Sequence, residues 1–535
     1  MHEIDRRARA GIDWHLIERL PRLYTQIHIH NSNAAAPGGD MTPKHDANST
    51  AWLVQRAFLA ISLMIGFYVF ALAIAILLLW IPYAMWTYVG RLPVKLAAAS
   101  VGAGLTILWA LVPRPDRFVP PGPRLEESEH PRLFNLIRSV AAATHQTAPS
   151  DVYLLNEMNA WVTHRGGTMG MGSRRVMGVG LPLLQAVSVP EFRAILAHEF
   201  GHYSSGDVAL GPWIYKTRST IGRTIAGVHK SVVALPFIWY GNQFLKLTHA
   251  VSRRQEFIAD HVAARVAGAR VQARALRRVT AVAPLFQSYF RSEVVPVLRA
   301  GFLPPIAAGF EEFLKTDRIA HASREIAADA EIKGETNAFD THPSLRDRLA
   351  ALGCAQDSGE PDEVEERASA LLGDPDKHAR ALLERLIGHD ALVQMKPTDW
   401  DAVGETVFAR QWRELAKSQS TWLSRFTADA LPAGRADFVS LSSGLVGAHE
   451  SNIDDNQRLE HVVFLLGVGI GVLLLQDGWR VRTRPGTPMV LERDSRRFDP
   501  MAAVAALSDG TMTTDEWRAQ CAAIGIAGRP LGIAA

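Results

Sequence analysis

The chain has 535 residues, 48% of them hydrophobic and 21% charged, and a net charge of +3. That length suggests roughly two to four domains, and so small a positive excess, with no basic stripe interleaved with aromatics, excludes nucleic acid as a partner. Only two cysteines are present, Cys354 and Cys521, and no CxxC pair. These exclude a disulfide framework and a cysteine-built metal site; one long-range disulfide stays open beside the reading of two buried thiols in a reducing compartment.

Residues 1–55 read as a tail and linker, with a short helix near Trp14 to Tyr24 and a polar stretch from His28 to Ser49. That stretch carries His28, His30 and His45, which a solvated linker explains as well as a metal-binding tail does. Between Arg56 and Arg91 there is no charged residue, and Ala57 to Trp80 is almost wholly apolar. About 20 such residues cross a bilayer as a helix. A second apolar run, Leu96 to Val112, is long enough for a marginal span. Residues 56–113 therefore read as a two-helix membrane hairpin, with a buried hairpin in a soluble core as the alternative. Lys44, Arg56, Arg114, Arg117 and Arg124 flank it on the side of the main body, against Arg91 and Lys95 in the connecting loop. Positive charge is retained on the cytoplasmic side. The expectation is an integral membrane protein with its main body in the cytoplasm.

Beyond a proline-rich exit (113–123), Pro131 to Ala143 shows helical spacing of apolar residues. Asp151 to Leu155 and Val176 to Val179 read as strands, with the glycine run 166–172 turning between them. That run lacks the GK[ST] ending of a phosphate loop, which argues against nucleotide binding. Ser188 to His202 reads as a helix: Ser188 can cap it, Pro190 suits its first turn and Glu191 adds favourable charge there. The uncharged stretch Ser231 to Leu245, only 15 residues long, reads as interfacial or buried rather than spanning. Val251 to Val266 reads as another helix.

The chemistry starts at His198-Glu199-Phe200-Gly201-His202, an HExxH sequence. Residues four apart share a helix face, so both imidazoles can reach one metal, with Glu199 placed to accept a proton from water. Zinc lowers the pKa of water it carries to roughly 7. HExxH also arises by chance, so further residues matter. Glu256 and Asp260 lie four apart on the next predicted helix. Glu256 can complete a His2Glu site with one position open, and Asp260 can accept from the far nitrogen of a ligand imidazole. His342 precedes Pro343, which favours an extended conformation at the mouth of a following helix. From there it could donate to the oxyanion formed at a carbonyl under attack; an incidental histidine in a helix-capping segment is the plain alternative.

Three ordered blocks, AHEFGHYSSGD (197–207), SRRQEFIAD (252–260) and DTHPSLRDRL (340–349), resemble the M48 family of zinc metallopeptidases, which includes the bacterial heat-shock protease HtpX. Asn159-Ala160-Trp161 is a weaker match, and with the anchors the resemblance covers residues 57–355. It implies one zinc per chain, held by His198, His202 and Glu256, with Glu199 as catalytic base and Asp260 behind the ligands. It implies that His342 and Asn159 stabilise the transition state, that the strand near Asn159 pairs with substrate backbone, and that Arg348 salt-bridges within the site. HtpX-like members carry two more spans between the HExxH helix and the third ligand. Here that interval, 203–255, shows only the 15-residue uncharged run. A large multi-span chamber for prenylated CAAX peptides is likewise unsupported.

The expected fold is mainly α with a small β-sheet: a membrane hairpin, a gluzincin-type metalloprotease domain (120–355) and an α+β C-terminal domain (356–535). In the last, 367–383 reads as a helix, Val462 to Leu475 as a buried helix, Trp479 to Arg484 with Met489 to Arg493 as a hairpin, and Thr513 to Ala523 as a helix. The sequence does not decide whether this domain recruits substrate, regulates, or supports the protease by packing. The expected function is a membrane-anchored zinc endopeptidase acting on protein substrates, membrane or misfolded ones among them. The alternative is a non-catalytic adaptor that keeps zinc for stability.

Overall fold

The computed structural model describes residues 50–91, 93–112, 118–166, 173–203, 211–229, 231–334, 342–356, 364–437 and 455–531. The expectations for the tail, for Lys44, Arg114 and Arg117, and for most of the glycine run lie outside these residues. The described chain divides into two compact units. One holds residues up to Pro284 together with 323–382; the other holds 285–322 together with 383 onward.

In the first unit, α1 (Thr50–Ala84) and α2 (Val94–Leu111) form the predicted hairpin. Both are long and apolar enough to cross a membrane. The turn between them places Gly90 at φ 66°, which costs a glycine no Cβ clash. Met64, Phe67, Ala71 and Ala75 recur at helical spacing along one buried face of α1. Phe58, Ile65, Val69, Leu72, Ile76, Trp80 and Tyr83 form an exposed stripe along another. Apolar side chains left facing outward over the whole length of a helix are what a lipid-facing element shows.

The sheet holds β1 (Arg124–Leu125), β2 (Asp151–Leu155), β3 (Ala160–Arg165) and β4 (Arg174–Gly180) in the order β1-β2-β4-β3. β2 pairs parallel with β4, and β3 pairs antiparallel with β4 as an edge strand. All five residues of β2 are buried, because α3 (Pro131–Ala143) and the helices after β4 cover the sheet. A short α4 (Leu181–Ala186) leads into α5 (Val189–Gly201), where the predicted cap forms in full. Ser188 Oγ accepts from the Glu191 N–H while the Glu191 carboxylate accepts from the Ser188 N–H at 2.8 Å.

Next come α6 (Gly211–Val228) and α7 (Ala234–Ala267). Two segments that the sequence separates, Ser231 to Leu245 and Val251 to Val266, lie mostly within α7, a single 34-residue helix. Its first half packs with α6 against α1 and α2; its second half packs against α5. Gly201 makes that second contact close, since a Cβ there would lie 2.9 Å from Ala259 Cα. α8 (Ala269–Tyr289) follows.

The segment 367–383 departs from the predicted single helix. Arg367 forms a β-bridge with Ser188, Ala368–Leu371 is a 3-10 turn, and the helix proper is Pro375–Ile387. Gly373 takes φ 85° and Pro375 has no N–H to give an upstream turn, so the helix can only begin there.

In the second unit, Tyr289, Phe310 and Phe313 pack as rings with Trp400. The Trp400 indole N–H donates to the Pro305 carbonyl at 2.9 Å. β5 (Phe302–Leu303) and β6 (Lys396–Pro397) pair parallel there. The predicted hairpin is β7 (Arg480–Arg482) against β8 (Val490–Arg493), and β9 (Arg496–Phe498) extends it to three strands. Helix Asp455–Gln476 runs through this core with Val462 to Leu475 largely buried, as expected from its length and glycines. Helix Thr514–Ala523 is capped by Thr513 and Glu516.

Candidate metal centre

α5 and the second half of α7 lie side by side, and the residues that could bind a metal project from them. His198, His202 and Glu256 each offer one ligand atom, and these atoms lie within 4.8 Å of one another. Among the described residues this is the only such group of three or more His, Cys, Asp or Glu. His198 Nε2 is 3.4 Å from Glu256 Oε2, and His202 Nε2 is 3.6 Å from Glu256 Oε1. The i, i+4 spacing on α5 puts the two imidazole rings 4.8 Å apart at 83°.

Behind these groups stands a second row. Asp260, one turn after Glu256 on α7, is almost fully buried, with Oδ1 3.0 Å from His198 Nδ1. That contact turns His198 Nε2 toward Glu256. Arg348, on helix Leu345–Ala351, donates through Nε to Asp260 Oδ2 at 2.8 Å and through Nη2 to Oδ1 at 2.6 Å. Its Nη2 also lies 3.5 Å from Glu256 Oε2. Gln272 on α8 donates to Asp260 Oδ1 at 2.9 Å. Nothing in the local spacing marks Gln272, because an amide twelve residues beyond Asp260 belongs to no recognisable pattern.

His342 is exposed, with Nδ1 3.0 Å from Glu256 Oε1 at the mouth of the cluster. Asn159 is exposed in the turn just before β3, where its carbonyl accepts from the Gly180 N–H at 2.8 Å. β3 packs against α5, and Tyr203 Oη donates to the Val162 carbonyl at 2.6 Å. The structure thus gathers His198, Glu199, His202, Glu256, Asp260, His342 and Arg348 around one point, with Asn159 in the turn that leads into the adjoining strand.

Electrostatics follow from burial. Burial pushes the Glu199 carboxyl up to about 7, although the positive side chains of the cluster pull the other way. Burial and the charge of His198 push His202 down to about 4. Burial opposes charge on His198, but the Asp260 and Glu256 carboxylates beside it outweigh that and hold the ring up at about 9. Burial would likewise raise Asp260, yet Arg348 and His198 bring it to about 2. Glu256 is held well below the carboxylate range, its burial offset by His198 and His342.

The residues present fit a divalent cation. Two buried carboxylates side by side call for positive charge between them. Glu256 Oε2 is buried and has no hydrogen-bond partner, while two imidazole nitrogens converge on the same carboxylate. A donor set of two imidazoles and one carboxylate suits zinc with a position left open.

Residues 127–355 match the model of peptidase family M48. No curated protein and no solved structure matches the chain. Every member of the cluster, and Asn159, falls inside the matched segment. The segment is thus similar to peptidase family M48, and the match supports a family M48 metallopeptidase.

Proposed function

We propose that the protein is a membrane-anchored zinc endopeptidase, with His198, His202 and Glu256 as ligands and Glu199 as general base. The observation that carries this reading is the convergence of three ligand atoms within 4.8 Å, beside a buried Glu256 oxygen that accepts no hydrogen bond. Zinc in such a site supplies a Lewis acid that acidifies water and polarises a carbonyl oxygen. The chain's own groups do the rest. Glu199 follows His198 on α5, and its burial keeps the carboxyl near neutrality, where it can take a proton from water and return it to the leaving amine. Asp260 orients His198 through Nδ1, and Arg348 orients Asp260 through its two-pronged contact. His342, exposed at the mouth, and Asn159, beside edge strand β3, are the proposed donors to the oxyanion. β3 lies at the edge of the sheet, where an extended peptide could align beside it.

The exposed apolar stripe on α1 supports anchoring in a bilayer, and the flanking charge bias supports a cytoplasmic peptidase. Substrates would then be peptide segments at or near the membrane surface, membrane or misfolded proteins among them. Purified full-length protein tests the chemistry. Glu199→Gln is expected to keep about one zinc per chain while casein cleavage falls by on the order of 100-fold or more. Cleavage at the wild-type rate in that variant would refute the mechanism, and a wild-type chain that binds zinc but cleaves nothing would favour the adaptor.

A further inference from the structure

The region between the HExxH helix and Glu256 holds a second helical hairpin, α6–α7, whose first half behaves unlike a soluble helix. Phe237 packs edge-on against Phe67 and Phe70 of α1, Tyr240 stacks on Phe70, and Tyr240 Oη donates to the Leu63 carbonyl at 2.7 Å. On α6, Arg223 donates to the Ala110 carbonyl at the end of α2, and Gly227 lies against Thr106. The buried hydroxyls of Thr220, Thr224 and Thr248 bond to carbonyls of their own helices, the arrangement that hides hydroxyls in apolar surroundings. Yet around the turn Val232, Leu235, Ile238 and Trp239 are exposed, at 81%, 64%, 40% and 61%. The face becomes polar only farther along α7, at Asn242, Gln243 and Lys246.

We infer that α6–α7 is a re-entrant wedge that dips into the same leaflet the peptidase faces, turns within the acyl region, and leaves by the side it entered. The occupant of its exposed apolar face is lipid, because that face continues the outward stripe of α1 to which the hairpin is packed. Depth follows from register. Arg223 sits level with the end of α2, and the turn begins about five residues later, so at 1.5 Å per residue the wedge descends about 8 Å beyond that level. A bilayer core is about 30 Å thick, so the hairpin does not cross. The consequence for the site is geometric. α7 is one uninterrupted helix from Ala234 through Glu256, so the wedge fixes the candidate metal site at a set height, about 25 Å along the helix from Trp239.

This inference rests on the reading of α1 and α2 as anchors, and the test separates the two. Single nitroxide labels are placed at Leu235→Cys, Lys246→Cys, Ile76→Cys and Val364→Cys in full-length protein in phosphatidylcholine–phosphatidylglycerol nanodiscs. The native Cys354 and Cys521 are buried, so the unmodified chain serves as the blank. The expected result is that Leu235 matches Ile76, relaxed by oxygen with loss of relaxation by a water-soluble nickel complex, while Lys246 matches Val364. Leu235 matching Val364 instead would overturn the wedge and leave the anchor standing, its apolar face then belonging to a protein partner or to water. Ile76 in water would take down both. Labelling of His229→Cys by an impermeant maleimide from the face opposite the peptidase would show a full crossing and overturn the re-entrant turn.

Discussion

The two compact units differ in what they bury. The first brings His198, Glu256 and Asp260 out of water within a few ångströms of one another, with Arg348 nearly as buried. In the second, among the described residues, no charged side chain is fully buried, and the core is rings, branched side chains and three glycines of helix Asp455–Gln476. There Gly471 lets Trp412 lie against the helix, and Gly469 does the same for Leu423 and Leu531. Burying apolar surface is favourable wherever it happens. Burying four ionisable groups is not, unless each is partnered and the arrangement has a use. The contrast therefore points to where the chemistry is. It also separates two apolar helices that length and composition make alike. α1 keeps its outer stripe exposed, as a membrane span would, whereas helix Asp455–Gln476 has most of its surface covered by protein.

The contrast can be broken from either side. The largest effect is expected at Arg348→Met, which takes the two-pronged cation from the buried Asp260 carboxylate and leaves it only His198 and Gln272. Removing one partner of such a pair costs about 3–5 kcal/mol, and loss of the support behind His198 should weaken zinc binding by about 10–100-fold. Competition with a chelator reads the second effect, and unchanged zinc affinity would mean that Asp260 and Arg348 are bystanders. Gly471→Leu drives a side chain into Trp412, whose ring carbon would lie 2.7 Å from the new Cβ. The expected cost is about 1–3 kcal/mol by thermal unfolding, with zinc per chain unchanged; loss of zinc would contradict the separation of this core from the chemistry.

The smallest effect concerns Glu293, whose carboxylate accepts from the Gly486 N–H. Burial pushes this carboxyl up to about 7. The folded state then holds a proton that the unfolded chain has released, so its contribution to stability is full below the ordinary carboxyl pKa and is lost as pH rises to about 7. Glu293→Gln is expected to remove that slope and to be the more stable form above neutrality by on the order of 1 kcal/mol. Parallel melting curves of the two proteins across this range would refute the assignment.

What could be read from the sequence was whatever local spacing dictates. HExxH and ExxxD are helix-face patterns, so His198, His202, Glu256 and Asp260 were identifiable one helix at a time. The capped start of α5 was equally plain from Ser188, Pro190 and Glu191. Contacts between distant segments were not. Gln272 reaches Asp260 only because α8 folds back beside α7. Residues 285–322 pack with the C-terminal unit although they lie within the matched family segment. The α6–α7 hairpin was hidden for a different reason. Lys216, Arg218 and Arg223 interrupt the apolar run on α6, and only the structure shows Arg223 spent on the Ala110 carbonyl and Arg218 on Thr248. Segment 367–383 does not form the single helix its apolar pattern suggests, because Gly373 and Pro375 interrupt it.

The central claim is that three side chains from α5 and α7 hold one catalytic zinc, and metal content tests it most directly. Elemental analysis of full-length protein in detergent, wild type beside Glu256→Ala, should give about one zinc per chain in the first and close to none in the second. Stoichiometric zinc retained in Glu256→Ala would contradict the account.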